Sequence, residues 1–465
     1  MTVLGAEMRG VNLLPGVTRR GVLTGAIAWA GLSTAMVSRA QSQSQRRSFF
    51  VSPSGNDNNT GSRGDPFATI GRVFQAISDL GAGDRIVVMP GVYQEAVVVS
   101  AGGDQSGDLR IISQKPHQAQ IRTPANTYSA VNIIRNYVTF EGFDVQGAGT
   151  GHGIEATFLD GNNKNNGPHH ITIRNNISHD NAGSGISLSY GDFYTIENNV
   201  CFNNCATNEY QGSGISVYAA RAVDGVDGIR IIVRANASFD NMAIKLPGDV
   251  AHSDANGIII DDLRNTQMGH PAGSYKYQTL VENNVCFRNG GKGVHIFISE
   301  NVIVRNNTCC YNNRDPKNPA TWRGDLSNVD SNNCLWVNNI GVADTQVNSF
   351  NTAILDAASK GSRNQNVSWV TNLTYSGLVG NPSINQDPGN PTLVAGAPYR
   401  NLFGKDPGFT KGAVGEPIPV FRLRGKSPAV DGGTVKYGIA DTDYSGNARV
   451  SGLRPDIGAY EYVAE

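Results

Sequence analysis

The sequence predicts an all-β fold, a single right-handed parallel β-helix closed by an N-terminal helical cap. Three observations predict it. The composition favours short strands and turns, with 55 Gly in 465 residues and only 17% charged residues. Two short elements recur through the middle of the chain. Asn keeps the same place in every copy of one of them.

The first element reads "RNNISHDN" (174–181), "ENNVCFNN" (197–204), "RANASFDN" (234–241), "ENNVCFRN" (282–289) and "RNNTCCYNN" (305–313). The second reads "GISLSY" from Gly185, "GISVYA" from Gly214, "GIIIDD" from Gly257 and "GVHIFI" from Gly293, with "GIEATF" from Gly153 as an earlier copy. The second Asn of each first element falls at Asn176, Asn199, Asn236, Asn284 and Asn307, giving steps of 23, 37, 48 and 23 residues. A unit of that length, with short strands, Gly corners and stacked Asn, is one coil of a solenoid. The coils are clearest over 150–345.

The ends follow the same plan. Residues 70–80 are expected to form an amphipathic helix that plugs the first coil, because an open coil exposes core and strand edges. "KSPAVDGG" and "RPDIGAYEYV", within 420–463, are expected to be the last short strands of the stack. Ahead of the solenoid domain (41–465), residues 1–40 carry Arg19 and Arg20 before a moderately apolar Gly/Ala-rich run, then Ser38 and Ala40. This is the pattern of a twin-arginine export signal. It predicts a periplasmic or extracellular protein with no stable membrane association once the signal is removed. The net charge of -1 offers no basic surface for nucleic acid. Of six cysteines, Cys201, Cys286 and Cys309 fall in one column with Ser178 and Ser238, which predicts an inward stack of small side chains. Cys205 and Cys310 are off that column, and no CxxC pair points to zinc.

Strand alternation then assigns the faces. Ile186, Ile215, Ile258 and Val294 point inward. Glu155, Ser187, Ser216, Ile259 and His295 form one outward column, and Tyr218, Asp261 and Phe297 belong to a second. Insertions at about 219–228, 241–256 and 263–278 border the coil that ends in Asp261 and Asp262. Loops clustered on adjacent coils build the walls of a groove. The candidate catalytic residues are therefore Asp261, Asp262, His295, Tyr218 and Lys245. The candidate binding residues are Arg221, Arg264, Lys292, His252 and Asp254. Acids, bases and cations in a long groove suit a polysaccharide, and the cations suit one containing uronates.

Two chemistries fit such a set. A lyase neutralises the uronate carboxylate and removes the C5 proton with Lys, Tyr or His. A hydrolase sets two carboxyls about the glycosidic bond, and the adjacent Asp261 and Asp262 are expected to raise one another's pKa. A C5-epimerase shares the lyase's proton abstraction. A non-catalytic glycan-binding or surface-structural solenoid needs no chemistry at all.

The stretches "FFVSPSGNDNNTGSRGDPFATIGRVFQAI" and "GDRIVVMPGVYQE" resemble the start of secreted pectate-lyase-like β-helix proteins, and "RPDIGAYEY" resembles their finish. The repeats, with "NGIII" and "VENNVCFRNGGKGVHIF", look most like family nine pectate lyases. That resemblance implies an exported polysaccharide lyase acting on an acidic glycan by β-elimination, with Ca²⁺ as a possible cofactor. Two family features are missing. The strand position of that family's catalytic lysine is Ile259 here, and serines replace its calcium-binding aspartates in "GSGISLSY" and "GSGISVYA". No recognisable calcium site remains. The Asp-Asp pair also resembles that of β-helix polygalacturonases, whose downstream "GHG" and "RIK" motifs are not found at matching positions.

Overall fold

A computed structural model describes residues 46–157, 167–208, 211–245, 252–267, 269, 273–359, 363–386, 390–410 and 421–464. The twin-arginine segment lies outside the described residues. Among them, no helix is long and apolar enough to cross a membrane.

The chain winds as a right-handed parallel β-helix with three strands to a coil. The strands stack into three parallel sheets of 11, 10 and 10 strands. One coil runs from Gln278–Glu282 in the first sheet through Val285–Phe287 in the second to Val294–Phe297 in the third. The registers match the sequence reading. Ser178, Cys201, Ser238, Cys286 and Cys309 are successive partners in the second sheet. Ile154, Ile186, Ile215, Ile258 and Val294 are successive partners in the third. All six cysteines are buried and free.

Two ladders of buried Asn hold the coils together. Between the first and second sheets, Asn176, Asn199, Asn236, Asn284, Asn307, Asn339, Asn372 and Asn401 are stacked. In each, the backbone N–H and Nδ2 both donate to the Oδ1 of the next, at 2.9–3.3 Å. Nδ2 also donates to a carbonyl of an earlier strand, as from Asn284 to Val233. A second ladder of Asn181, Asn204, Asn241, Asn289 and Asn312 lies between the second and third sheets and ends on Asp325 Oδ1. Each turn needs a left-handed residue before the ladder Asn, and Asn175, Asn198, Ala235, Asn283 and Asn306 all have φ of 52–56°. Corner glycines are required by crowding: a Cβ on Gly257 would lie 2.6 Å from the Gly293 carbonyl oxygen. On the first sheet's outer face, Glu141, Arg174, Glu197, Arg234, Glu282 and Arg305 alternate in register, and most neighbours are ion-paired.

Two end expectations change. The helix spans Ile70–Ala76 rather than reaching Leu80. Thr69 caps it, and the Glu95 carboxylate accepts from Ile70 N and Gly71 N, but Ile77 is already extended. The C-terminal stretch does not supply final coils. It folds back over the turns bordering the second sheet, where Asn283 and Asn306 donate to Thr442 and Asp456 carbonyls and Asn338 to that of Thr434. The physical reason is a face that would otherwise be wet: Phe239 and Phe287 stack outward there, and Phe421 packs edge-on against Phe287.

Asn284→Ala removes four buried hydrogen bonds from the middle of the ladder. At about 1 kcal/mol each, plus the cost of orphaned partners, a loss of ~4–6 kcal/mol is expected in urea unfolding. Asn203→Gly, at an exposed left-handed position (φ 54°), is expected to leave the midpoint nearly unchanged.

Candidate functional site

The site lies on the outer face of the third sheet, at strand Ile258–Asp261. Ile258 and Ile260 fill the core, and Asp261 ends the strand in register between Tyr218 and Phe297 of the adjacent coils. Those three side chains are half-buried. The other outward column is closed over on the coils of Asp261 and Phe297, where Ile259 is 4% exposed and His295 2%, and is half-buried at Ser216. The open face is therefore narrower than strand alternation alone predicts.

Asp261 accepts from Gln267 Nε2 at 2.8 Å. Burial, and then the nearby Asp254, push its carboxyl well above the usual carboxylate range, with only a smaller effect from Asp262. Asp254 is itself pushed up to about 6 by burial, opposed by the Lys292 ammonium and by the hydrogen bond from Asn256 Nδ2 at 3.1 Å. The two carboxyls therefore differ: Asp261 is raised well above the usual carboxylate range, whereas Asp254, at about 6, is mostly ionised near neutral pH. Burial likewise raises the Tyr218 hydroxyl, reinforced by Tyr190 and Asp261.

Asp262 is not part of this pair. Its backbone turns to φ 50° and its buried carboxylate accepts from Thr266 N and Gln267 N, holding the 263–267 loop. An acid at a corner, followed by a loop with free amides, is satisfied locally. His295 is a buried ring stacked at 5.4 Å on Phe297, and burial followed by Lys292 drives its pKa well down. His252 is buried and bonded through Nδ1 to Asp315 Oδ2 at 2.5 Å, so it braces a wall. Lys245 is exposed beside the second-ladder corner, its backbone bonded to Ala206, and nothing links it to Asp261. Arg264 is half-buried and donates to the Asp330 carbonyl at 3.1 Å.

The remaining cations are closer to the chemistry. Lys292 is 1% exposed, donates to the Ser253 carbonyl at 2.6 Å and lies 5.7 Å from the Trp322 ring centre. Burial lowers it to about 8 against the pull of Asp254. Arg221 is 4% exposed and lies 5.4 Å over the Tyr190 ring. Its Nη1 donates to the Ala219 carbonyl, while Nε and Nη2 are buried without a hydrogen-bond partner.

Sequence reasoning missed Trp322, Asp315 and Arg323. The buried Arg323 donates to carbonyls of Asn313, Asp315 and Asn318 and so ties down the loop that carries Trp322. The signal was available, since the step from Asn307 to Asn339 is 32 residues and marks a further insertion. A calcium ion does not fit the donors present. Ser187 and Ser216 occupy the outward column, Glu155 accepts from Ser129 Oγ at 2.6 Å, and among the described residues no three His, Cys, Asp or Glu are grouped to hold a metal.

No family model matches the chain, and no curated protein matches it. Solved structures resemble it as solenoids. Pectate lyase Pel9A is 17% identical over 90% of this chain and 97% of that chain, with a TM-score of 0.47. XylC in complex with xylose is 13% identical over 71% and 76%, with a TM-score of 0.44. A rhamnogalacturonan lyase is 14% identical over 70% and 87%, with a TM-score of 0.38.

Lys292→Met removes the one cation opposing the rise of Asp254. In carboxyl ¹³C NMR the Asp254 titration midpoint is expected to move above about 6 in the folded variant. A midpoint that stays in place or falls would separate the two groups electrostatically.

Proposed function

We propose that this protein is an exported enzyme that cleaves a polysaccharide at the Asp254–Asp261 face, with glycoside hydrolysis as its chemistry. One observation carries this reading. Asp254 and Asp261 feel one another electrostatically but sit in unequal surroundings, only Asp254 having an ammonium beside it, as an acid and a base acting on one glycosidic bond require. Asp261 would protonate the leaving oxygen. Asp254 would activate water or attack the anomeric carbon. The β-elimination expected from the family resemblance finds less support. Lys245 lies apart, His295 is closed over, Lys292 is committed to Ser253, and the Tyr218 hydroxyl is driven up rather than down.

A second reading, a lyase acting on an acidic glycan, is favoured by Arg221. A buried guanidinium with two unpartnered nitrogens is suited to a substrate carboxylate. Export is inferred from Arg19 and Arg20 and the apolar run that follows.

The test is a panel of acidic and neutral polysaccharides, following reducing-end release beside ultraviolet absorbance of unsaturated uronate. The hydrolase reading expects reducing ends without absorbance. It also expects loss of about 10²–10⁴-fold in kcat for Asp261→Asn and Asp254→Asn. Both signals rising together would make the protein a lyase. Activity is expected to have an acid limb near pH 6, where Asp254 ionises, because the base form is lost below it. Binding with no turnover of any glycan would leave a binding solenoid.

A further inference from the structure

The side chains flanking Asp261 along the solenoid axis are both aromatic. Tyr218 is its partner on the preceding coil and Phe297 its partner on the following one. The column continues to Ser189 on one side and Val329 on the other, so the aromatic pair is confined to the two coils around the acid. Both rings are half-buried; the outward residue beside Phe297, His295, is closed over, and the one beside Tyr218, Ser216, is half-buried as well. Each is braced by a second ring near a right angle. Tyr190 meets Tyr218 at 5.6 Å and 75°, and Trp322 meets Phe297 at 5.9 Å and 70°. Edge-on bracing fixes a ring plane without covering its face; His295 also stacks on one face of Phe297, so a ligand there would use the opposite face. Sheet spacing places the two coils about 9.6 Å apart, two steps of ~4.8 Å.

We propose that Tyr218 and Phe297 are the stacking platforms of two adjacent sugar subsites, one on each side of the bond that Asp261 attends. The ligand class follows from the chemistry. A flat aromatic face is matched by the C–H face of a pyranose with mainly equatorial substituents, and two such units in series span that separation. The proposal rests on reading the Asp254–Asp261 face as a glycan site. It adds which residues grip the sugars and which ring geometry they accept. Tyr218 then acts through its ring, not through its hydroxyl.

The experiment uses the full mature chain carrying Asp261→Asn, so that binding is measured apart from turnover. Oligosaccharides of cello-, xylo-, manno- and galacturono-series, two to six units long, are titrated by calorimetry and by tryptophan fluorescence. Tyr218→Phe and Phe297→Tyr are expected to keep affinity within about twofold, because the flat face remains. Tyr218→Ala and Phe297→Ala are expected to weaken binding at least about fivefold per ring, on the scale of one aromatic contact. If Phe297→Ala does not fold, Phe297→Leu keeps the apolar volume and removes the flat face, and the same loss is expected. Folded alanine or leucine variants with parental affinity would overturn the proposal, as would loss of affinity in Tyr218→Phe. Binding that needs both rings while the Asp261→Asn chain still cleaves would support the platforms and remove Asp261 from the chemistry. Failure of every oligosaccharide to bind would overturn both readings together.

Discussion

The asparagine ladders are the constraint on which the rest of the structure depends. Coil lengths vary from 23 to 48 residues between successive ladder positions, yet every ladder Asn meets its neighbour with the same paired hydrogen bonds. The ladder therefore fixes where each coil returns, whatever the chain does between returns. A buried amide with its oxygen and nitrogen both engaged is costly to displace, and a one-residue slip would orphan several such groups at once. Extra residues have only one place to go, outward at the corners of the third sheet. The fold can lengthen its loops there without changing the register of a single strand.

That freedom makes the site. The strand Ile258–Asp261 lies within the 48-residue step and next to the 37-residue one, so long loops rise on both sides of it. They carry Gln267, Asp254, Arg221 and, one coil further, the segment with Trp322. Together they strip water from a sheet face that would otherwise be open. Desolvation is the first cause of the altered proton affinity of Asp254, Asp261, Lys292 and Arg221 alike. The difference between the two acids then comes from placement. Asp254 has an ammonium beside it and Asp261 does not. Burying four ionisable groups is unfavourable, and a rigid ladder-bound scaffold is what allows the loops to hold them there.

How much of this was legible in the sequence follows from periodicity. The columns Glu155–Ser187–Ser216–Ile259–His295 and Tyr218–Asp261–Phe297 could be read because strands alternate with a fixed period and the Gly and Asn marks set the phase. Burial of the first column could not. It depends on where aperiodic loops lie, and alternation says only that Ile259 and His295 leave the core. Asp262 was ambiguous for the same reason, since a corner residue can turn either way and here finds the amides of its own loop. The partnership of His252 with Asp315 joins two insertions 63 residues apart, with no shared spacing to announce it. The C-terminal segment was misread because its short apolar runs look like strands. Its role is set by the phenylalanines it covers, which belong to other coils.

The departures from the resembling lyases also gain a physical sense. Ile259, two residues before Asp261 on the same outer face, is buried. A cation at that position would favour the ionised form of Asp261. Serines at 187 and 216 leave Glu155, held by Ser129, as the one acid in the outward column of the three coils before Ile259. The strand Ile258–Asp261 and its flanks carry two unequal carboxyls and two aromatic rings. Under the hydrolysis we propose, those groups would protonate a glycosidic oxygen over a stacked sugar.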